Sequence, residues 1–314
     1  MDRTGSKLLV GFCIALLGFG ATVWAASNKH PLRAMAWLSS EGQFDALTSE
    51  PETGYRITAK SLDDGDMILA GEALFHTPTL LGGQAAKAGI SCASCHVNGR
   101  NNPHFQFPGV SGEPGTADVT HSFFSSYRGD ATFNPVVIPD LSLPGKISRN
   151  NDLEMTKFIR DLVVEEFDGA EPSLTVLRSL SSYVRALCSD CNTKSGPITA
   201  GLHIGRAERA VVIAEKFYET EPVLSRLLLD SARHQLGLIH ERYTTPNLAE
   251  ERRRLIEVSE HIFELQNINS SSSKNYSKRS DAILKKLAEL DRHLLQSADQ
   301  SLYNPEKLRA ALPN

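Results

Sequence analysis

The chain has 314 residues, enough for two domains or one large one, and an ordinary globular composition of 41% hydrophobic and 22% charged residues. Its formal net charge is −4 and no Lys/Arg run forms a binding patch, so nothing points to a nucleic-acid partner.

The first residues carry an export pattern. Asp2 to Lys7 is short and polar with two basic residues, Leu8 to Trp24 is almost wholly apolar, and Val23-Trp24-Ala25 places small residues at −3 and −1 for cleavage after Ala25. Residues 1–26 are therefore expected to be a signal peptide, or an N-terminal membrane anchor if uncleaved, since the apolar run is near the lower limit for a bilayer span. Export predicts a periplasmic protein, anchored to the inner membrane in the uncleaved case. Membrane contact is expected only then.

Residues 27–62 read as a lead-in, with a short helix near Leu32 to Leu38 and a turn at Pro51 to Tyr55. From Asp63 the spacing of Leu69, Ala73 and the flanking Phe75 predicts a short amphipathic helix, capped by aspartate and ending before Pro78. A loop through Leu81-Gly82-Gly83-Gln84 leads to Cys92-Ala93-Ser94-Cys95-His96. Cys-x-x-Cys-His is the pattern of covalent haem attachment. Each cysteine can form a thioether with a haem vinyl group, and the adjacent histidine can bind the iron through an imidazole nitrogen. The rival readings are a zinc half-site and a thiol redox pair. A zinc site normally needs a second Cys/His pair, and Cys188 and Cys191 have no histidine beside them. Export supports haem, because haem is attached outside the bacterial cytoplasm.

The stretch from Gly71-Glu72-Ala73-Leu74-Phe75 to Ile90-Ser91-Cys92-Ala93-Ser94-Cys95-His96 resembles the first haem domain of the bacterial di-haem cytochrome c peroxidases and their methylamine-utilisation (MauG-like) relatives. The likeness covers about residues 63–188 and is close only in the helix and the haem motif. It implies a cytochrome c-like haem domain over 63–191, one covalent haem c held by Cys92 and Cys95, and His96 as proximal iron ligand. The chain departs from the family in having a single Cys-x-x-Cys-His, whereas the di-haem enzymes need two haems.

Residues 97–150 are rich in Gly, Pro, Asn and Ser and form a long irregular loop. Phe105, Phe107, Phe123, Phe124, Tyr127 and Phe133 are expected to order it. Asn151 to Phe167 returns to helical spacing, with Leu153, Phe158, Leu162 and Val163 on one face. Ser173 caps the next helix, whose Leu177, Leu180, Val184 and Leu187 recur at three- and four-residue steps. The end of that helix resembles the C-terminal helix of cytochrome c folds. Cys188 and Cys191 follow as a candidate structural disulfide, because a helix C-terminus disfavours a reactive thiolate.

Residues 192–197 read as a linker, and 198–314 as an all-helical domain, either a four-helix bundle or two stacked hairpins. Helices are expected over Ile204 to Glu219, Pro222 to Tyr243, Thr245 to about Gln266, Lys278 to Ser297 and Pro305 to Leu312, with a turn at Asn269 to Lys274. The Glu250 to Arg254 run reads as a solvated face. His203, His234, His240 and His261 show no ligand spacing. The fold class is thus mainly α: a cytochrome c-like domain followed by a helical domain that could dock a redox partner protein.

The chemistry turns on the sixth iron position, for which Met155, His121 and His104 are the candidates. A strong ligand there gives an electron carrier. An open position gives a peroxidase-like oxidoreductase, for which Glu113, Arg128 and Asp130 are the polar candidates. A haem-based sensor signalling through the helical half is a third reading.

Overall fold

The computed structural model describes residues 32–313 except 53, 56–61, 146, 148, 190, 192–193 and 269–272. The expected signal, with Cys13, and part of the lead-in lie outside the described residues, as does most of the turn after Gln266. No helix among the described residues is long and apolar enough to cross a membrane.

The chain is mainly helical. The lead-in forms a 3-10 turn at Arg33–Trp37, helix α1 (Gln43–Thr48) and strand β1 (Ser49–Pro51). Helix α2 (Leu62–Phe75) is followed by three short helices, α3 (Pro78–Leu81), α4 (Gly83–Ala88) and α5 (Cys92–Cys95). Ser91 caps α5 reciprocally: its side chain accepts from the Ser94 N–H while the Ser94 hydroxyl accepts from the Ser91 N–H. The long loop then contains only a two-residue strand pair, β2 (Thr116–Ala117) with β3 (Val136–Val137). Helix α6 (Asp152–Asp161) runs into a π turn over Leu162–Glu166, and α7 (Leu174–Ala186) starts at Ser173, whose hydroxyl accepts from the Val176 N–H.

Helices α2 and α7 cross closely. At the crossing Gly71 lies so near α7 that a Cβ there would stand 2.0 Å from the Ser179 carbonyl oxygen and 2.7 Å from the Tyr183 Cβ. Glycine permits this approach by having no side chain. Around it Leu74, Leu180 and Tyr183 are buried. The apolar spacing expected for α7 is realised, with Leu177, Leu180 and Val184 inside.

The face expected for α6 is not. Leu153 is 81% exposed and Phe158 41%, whereas Met155, Thr156 and Val163 are buried. Leu153 and Phe158 are five residues apart and so cannot share a face of a 3.6-residue helix. The helix is also oriented by polar anchors, since the Ser181 hydroxyl donates to Asp152 at 2.6 Å and Arg185 pairs with Asp152 at 3.2 Å. The π turn then advances the phase before Val163.

Beyond α7 the expected linker is partly a strand. β4 (Ser195–Pro197) pairs antiparallel with β1, Glu50 opposite Gly196. Helices α8 (Ala200–Phe217), α9 (Pro222–His240), α10 (Ala249–Gln266) and α11 (Ser273–Ser297) follow, with α12 (Pro305–Ala311) returning to α1. α8 packs on α9, α9 on α10, α10 on α11 and α11 on α8, which closes a four-helix bundle. α11 begins five residues earlier than its apolar spacing suggests. The buried face of α11, Ile283, Leu287, Leu290 and Leu294, is the one expected.

The two halves share one apolar core. α2 packs on both α8 and α9, and the Ser231 hydroxyl on α9 donates to the Ala73 carbonyl at 2.8 Å. Polar contacts add to this: Lys216 pairs with Asp66 at 2.6 Å, and Arg242 donates to the Leu47 carbonyl at 2.7 Å.

Candidate functional site

The Cys-x-x-Cys-His segment is held from both sides. After the motif, the Asn102 N–H donates to the Cys95 carbonyl at 2.9 Å and its side-chain amide to the Ser94 carbonyl at 2.8 Å. Far along the chain, the Leu141 N–H donates to the Gly99 carbonyl at 2.9 Å, and Arg100 pairs with Asp140 at 3.2 Å and hydrogen-bonds Ser142. These contacts set the Pro139 carbonyl 3.0 Å from Nδ1 of His96.

A carbonyl can only accept, so His96 carries its proton on Nδ1 and keeps the lone pair on Nε2. Burial lowers the His96 pKa to about 4, against the opposing pull of the Pro139 carbonyl and Asp140. The ring is therefore neutral at physiological pH. Phe75, the last residue of α2, has its ring 6.5 Å from that of His96 and 5.1 Å from that of Tyr183. It links the motif to the α2–α7 crossing.

Cys92 and Cys95 are half-buried and not bonded to each other. Burial pushes both thiols up to about 12, which is the reverse of what a thiol–disulfide exchange pair needs. Among the described residues no three His, Cys, Asp or Glu side chains converge on a point that could hold a bare metal ion, so a zinc half-site has no further ligands there. Cys188 and Cys191 form a disulfide with Cα atoms 5.5 Å apart.

The candidates for a second ligand sit in different surroundings. Met155 is buried in the first turn of α6 and belongs to the core. His121 lies in the loop with its Nδ1 accepting from the Phe123 N–H at 3.1 Å. That bond leaves its neutral ring with the proton on Nε2, the opposite tautomer to His96. His104 packs beside Gly42 and lines a cavity that Cys92, Cys95 and His96 do not line. Among the aromatics, Phe105 and Phe124 are buried, and the rings of Phe107, Phe123, Phe124 and Phe167 meet in a chain, tilted or edge-on, with centroids 5.0–5.9 Å apart. Tyr127 and Phe133, by contrast, are exposed. Arg128 is held in ion pairs with Glu165 and Glu166, and Asp130 caps its own turn by accepting from the Thr132 N–H at 2.8 Å.

Three histidines that no spacing rule connects come to one place. His76 at the end of α2, His203 on α8 and His234 on α9 line the same cavity. No sequence signal joins them; only the docking of α2 against α8 and α9 does. His261 sits instead beside Glu257 and Glu264, and His240 is half-buried at the end of α9.

No family model matches the chain, and no curated protein or solved structure matches it either.

Proposed function

We propose that the chain is an exported mono-haem c-type cytochrome that carries one electron to or from a partner protein. The observation that carries the reading is the His96 tautomer. The Pro139 carbonyl fixes the proton on Nδ1 and leaves Nε2 as the free donor a haem iron requires. The donor set fits the group. Cys92 and Cys95 would hold it through thioethers, His96 would ligate it, and Phe75, backed by Tyr183, supplies apolar ring surface beside the histidine. When bound, haem c supplies a reversible one-electron iron couple. The tight α2–α7 crossing at Gly71 supports a cytochrome c-like arrangement of residues 63–191.

Met155 is our choice of sixth ligand. A thioether needs no tautomer to coordinate, and this one is buried. His121 offers a protonated Nε2, and His104 belongs to a different cavity. Two of the three polar groups that a peroxidase would use are engaged elsewhere, Arg128 with Glu165 and Glu166 and Asp130 with the Thr132 N–H. The bundle of α8–α11 is the proposed docking surface for the redox partner.

Absorption spectroscopy of the purified protein tests this reading. The expected spectrum is low-spin, insensitive to cyanide and peroxide, with a methionine–iron charge-transfer band that disappears in Met155→Ala and persists in His121→Ala. A high-spin ferric spectrum that shifts with cyanide would overturn the carrier assignment in favour of an open site.

A further inference from the structure

Between the lead-in, the outer side of α5 and helices α8 and α9 lies a cavity of about 490 Å³. It is lined by Ala93, Ser94 and Val97 from the motif segment, but not by the three side chains that would carry haem. Its walls combine apolar groups, among them Trp37, Leu47 and Leu238, with the His76, Arg100 and Arg206 side chains.

Nε2 of His76, Nε of Arg100 and Nε of Arg206 are buried with no hydrogen-bond partner among the described residues. An arginine Nε–H can only donate. His76 is 9% exposed and Arg206 8%, so neither is readily served by bulk water. The acceptors are in the opposite condition. Glu50 receives Arg206 and the Asn98 side chain, and Glu241 receives Arg33. Asp45 is exposed to solvent. Apart from Nε2 of His76, which donates or accepts according to tautomer, no side-chain acceptor among the cavity's described lining residues is buried without a partner. Arg242 adds a buried cation that donates to the neutral carbonyls of Leu302 and Leu47.

We propose that this cavity binds a small organic carboxylate. Its acid group would accept from Arg206 and Arg100, and from His76 in the tautomer that carries its proton on Nε2, and its carbon body would lie against Trp37, Leu47 and Leu238. The volume is far larger than one chloride or water needs and falls in the range of small-molecule sites. A bare transition metal does not suit the same histidines, because no three ligating side chains converge here or elsewhere among the described residues. The site stands independently of the electron-carrier reading, since the Cys92, Cys95 and His96 side chains take no part in it.

Isothermal titration of the full-length protein with succinate, benzoate and benzylamine tests the proposal. One or both carboxylates should bind saturably at about one per chain, and benzylamine should not. Leu238→Trp, which fills the cavity and leaves every donor in place, should weaken carboxylate binding at least tenfold (about 1.4 kcal/mol) while retaining the parent's melting temperature and absorption spectrum. If Leu238→Trp does not fold, Ile198→Trp fills the same space from the segment after β4. No binding of either carboxylate at about 10 mM would overturn the proposal. Equal binding of benzylamine, or undiminished binding in the folded tryptophan variant, would do so too. Haem content is read separately by absorption. A chain without haem that still binds benzoate would sink the electron-carrier reading and leave this one standing.

Discussion

Gly71→Ala probes the contact on which the N-terminal half of the fold is built. The added Cβ would meet the Ser179 carbonyl oxygen at 2.0 Å and the Tyr183 Cβ at 2.7 Å. Ordinary contact is about 3.5 Å, so α2 and α7 would have to part by about 1.5 Å along that line. Neither neighbour is the free end of a flexible side chain, so the helices themselves must move. Overpacking of this kind costs about 1–3 kcal/mol, and more where the backbone is the obstacle. Alanine recovers about 1 kcal/mol of helix propensity. With the cost at the upper end of that range, the net expectation is a loss of about 2 kcal/mol, a large share of the roughly 5–15 kcal/mol that holds a domain together.

Urea denaturation followed by far-ultraviolet circular dichroism measures this loss as a lower midpoint at unchanged slope. Gly205→Ala in α8 is the control. A Cβ there would meet only the flexible Arg209 guanidinium at 3.6 Å, so it should stabilise by about 0.5–1 kcal/mol. If Gly71→Ala stabilises as Gly205→Ala does, the helices do not cross as described and the reasoning fails.

Two further predictions concern the junction of the halves. Asn98 sits at φ 50°, donates to Glu50 at 3.0 Å and to the Pro51 carbonyl at 2.6 Å, and accepts from Arg206 at 3.0 Å. Asn98→Ala leaves a buried ion pair short of partners and places alanine in a left-handed conformation, so it should cost about 2–4 kcal/mol; a midpoint within error of the parent would refute the role. His203 is neutral in the fold: burial, followed by Arg206, lowers its pKa to about 3. Its folded pKa lies below the unfolded value, so its contribution is present above about pH 6.5 and is lost as pH falls toward 3. Between pH 7 and 5 the parent should lose about 2 kcal/mol through this group, and His203→Gln should show a shallower decline; parallel pH profiles would contradict the assignment.

Much of this architecture could be read from local signals. The steps of Leu177, Leu180 and Val184 identify the buried side of α7, and Ser173 marks where it starts. The repeated leucines of α11 do the same in the bundle. What escaped depends on partners distant in sequence. β1 and β4 are three-residue segments, Ser-Glu-Pro and Ser-Gly-Pro, with no alternation to betray a strand, and they form only because the lead-in returns to the segment that follows α7. The buried side of α6 is set by Asp152 reaching Ser181 and by the π turn, and neither is visible in hydrophobic spacing. His76 reads as a residue at a helix end, and becomes part of a cavity only when α2 docks on α8 and α9. At the motif itself, Cys92, Cys95 and His96 are legible from five residues. The Pro139 carbonyl that orients His96 lies 43 positions away and has no signal of its own.

The most direct measurement is whether haem is covalently attached. The full chain, with its N-terminal segment, should be produced in cells that carry out haem attachment, then denatured and extracted with acidified acetone. The account predicts one haem per chain that stays with the polypeptide, is lost in the Cys92→Ala, Cys95→Ala double variant and survives Cys188→Ala. Protein that folds without haem, or whose haem passes into the acetone, would contradict it.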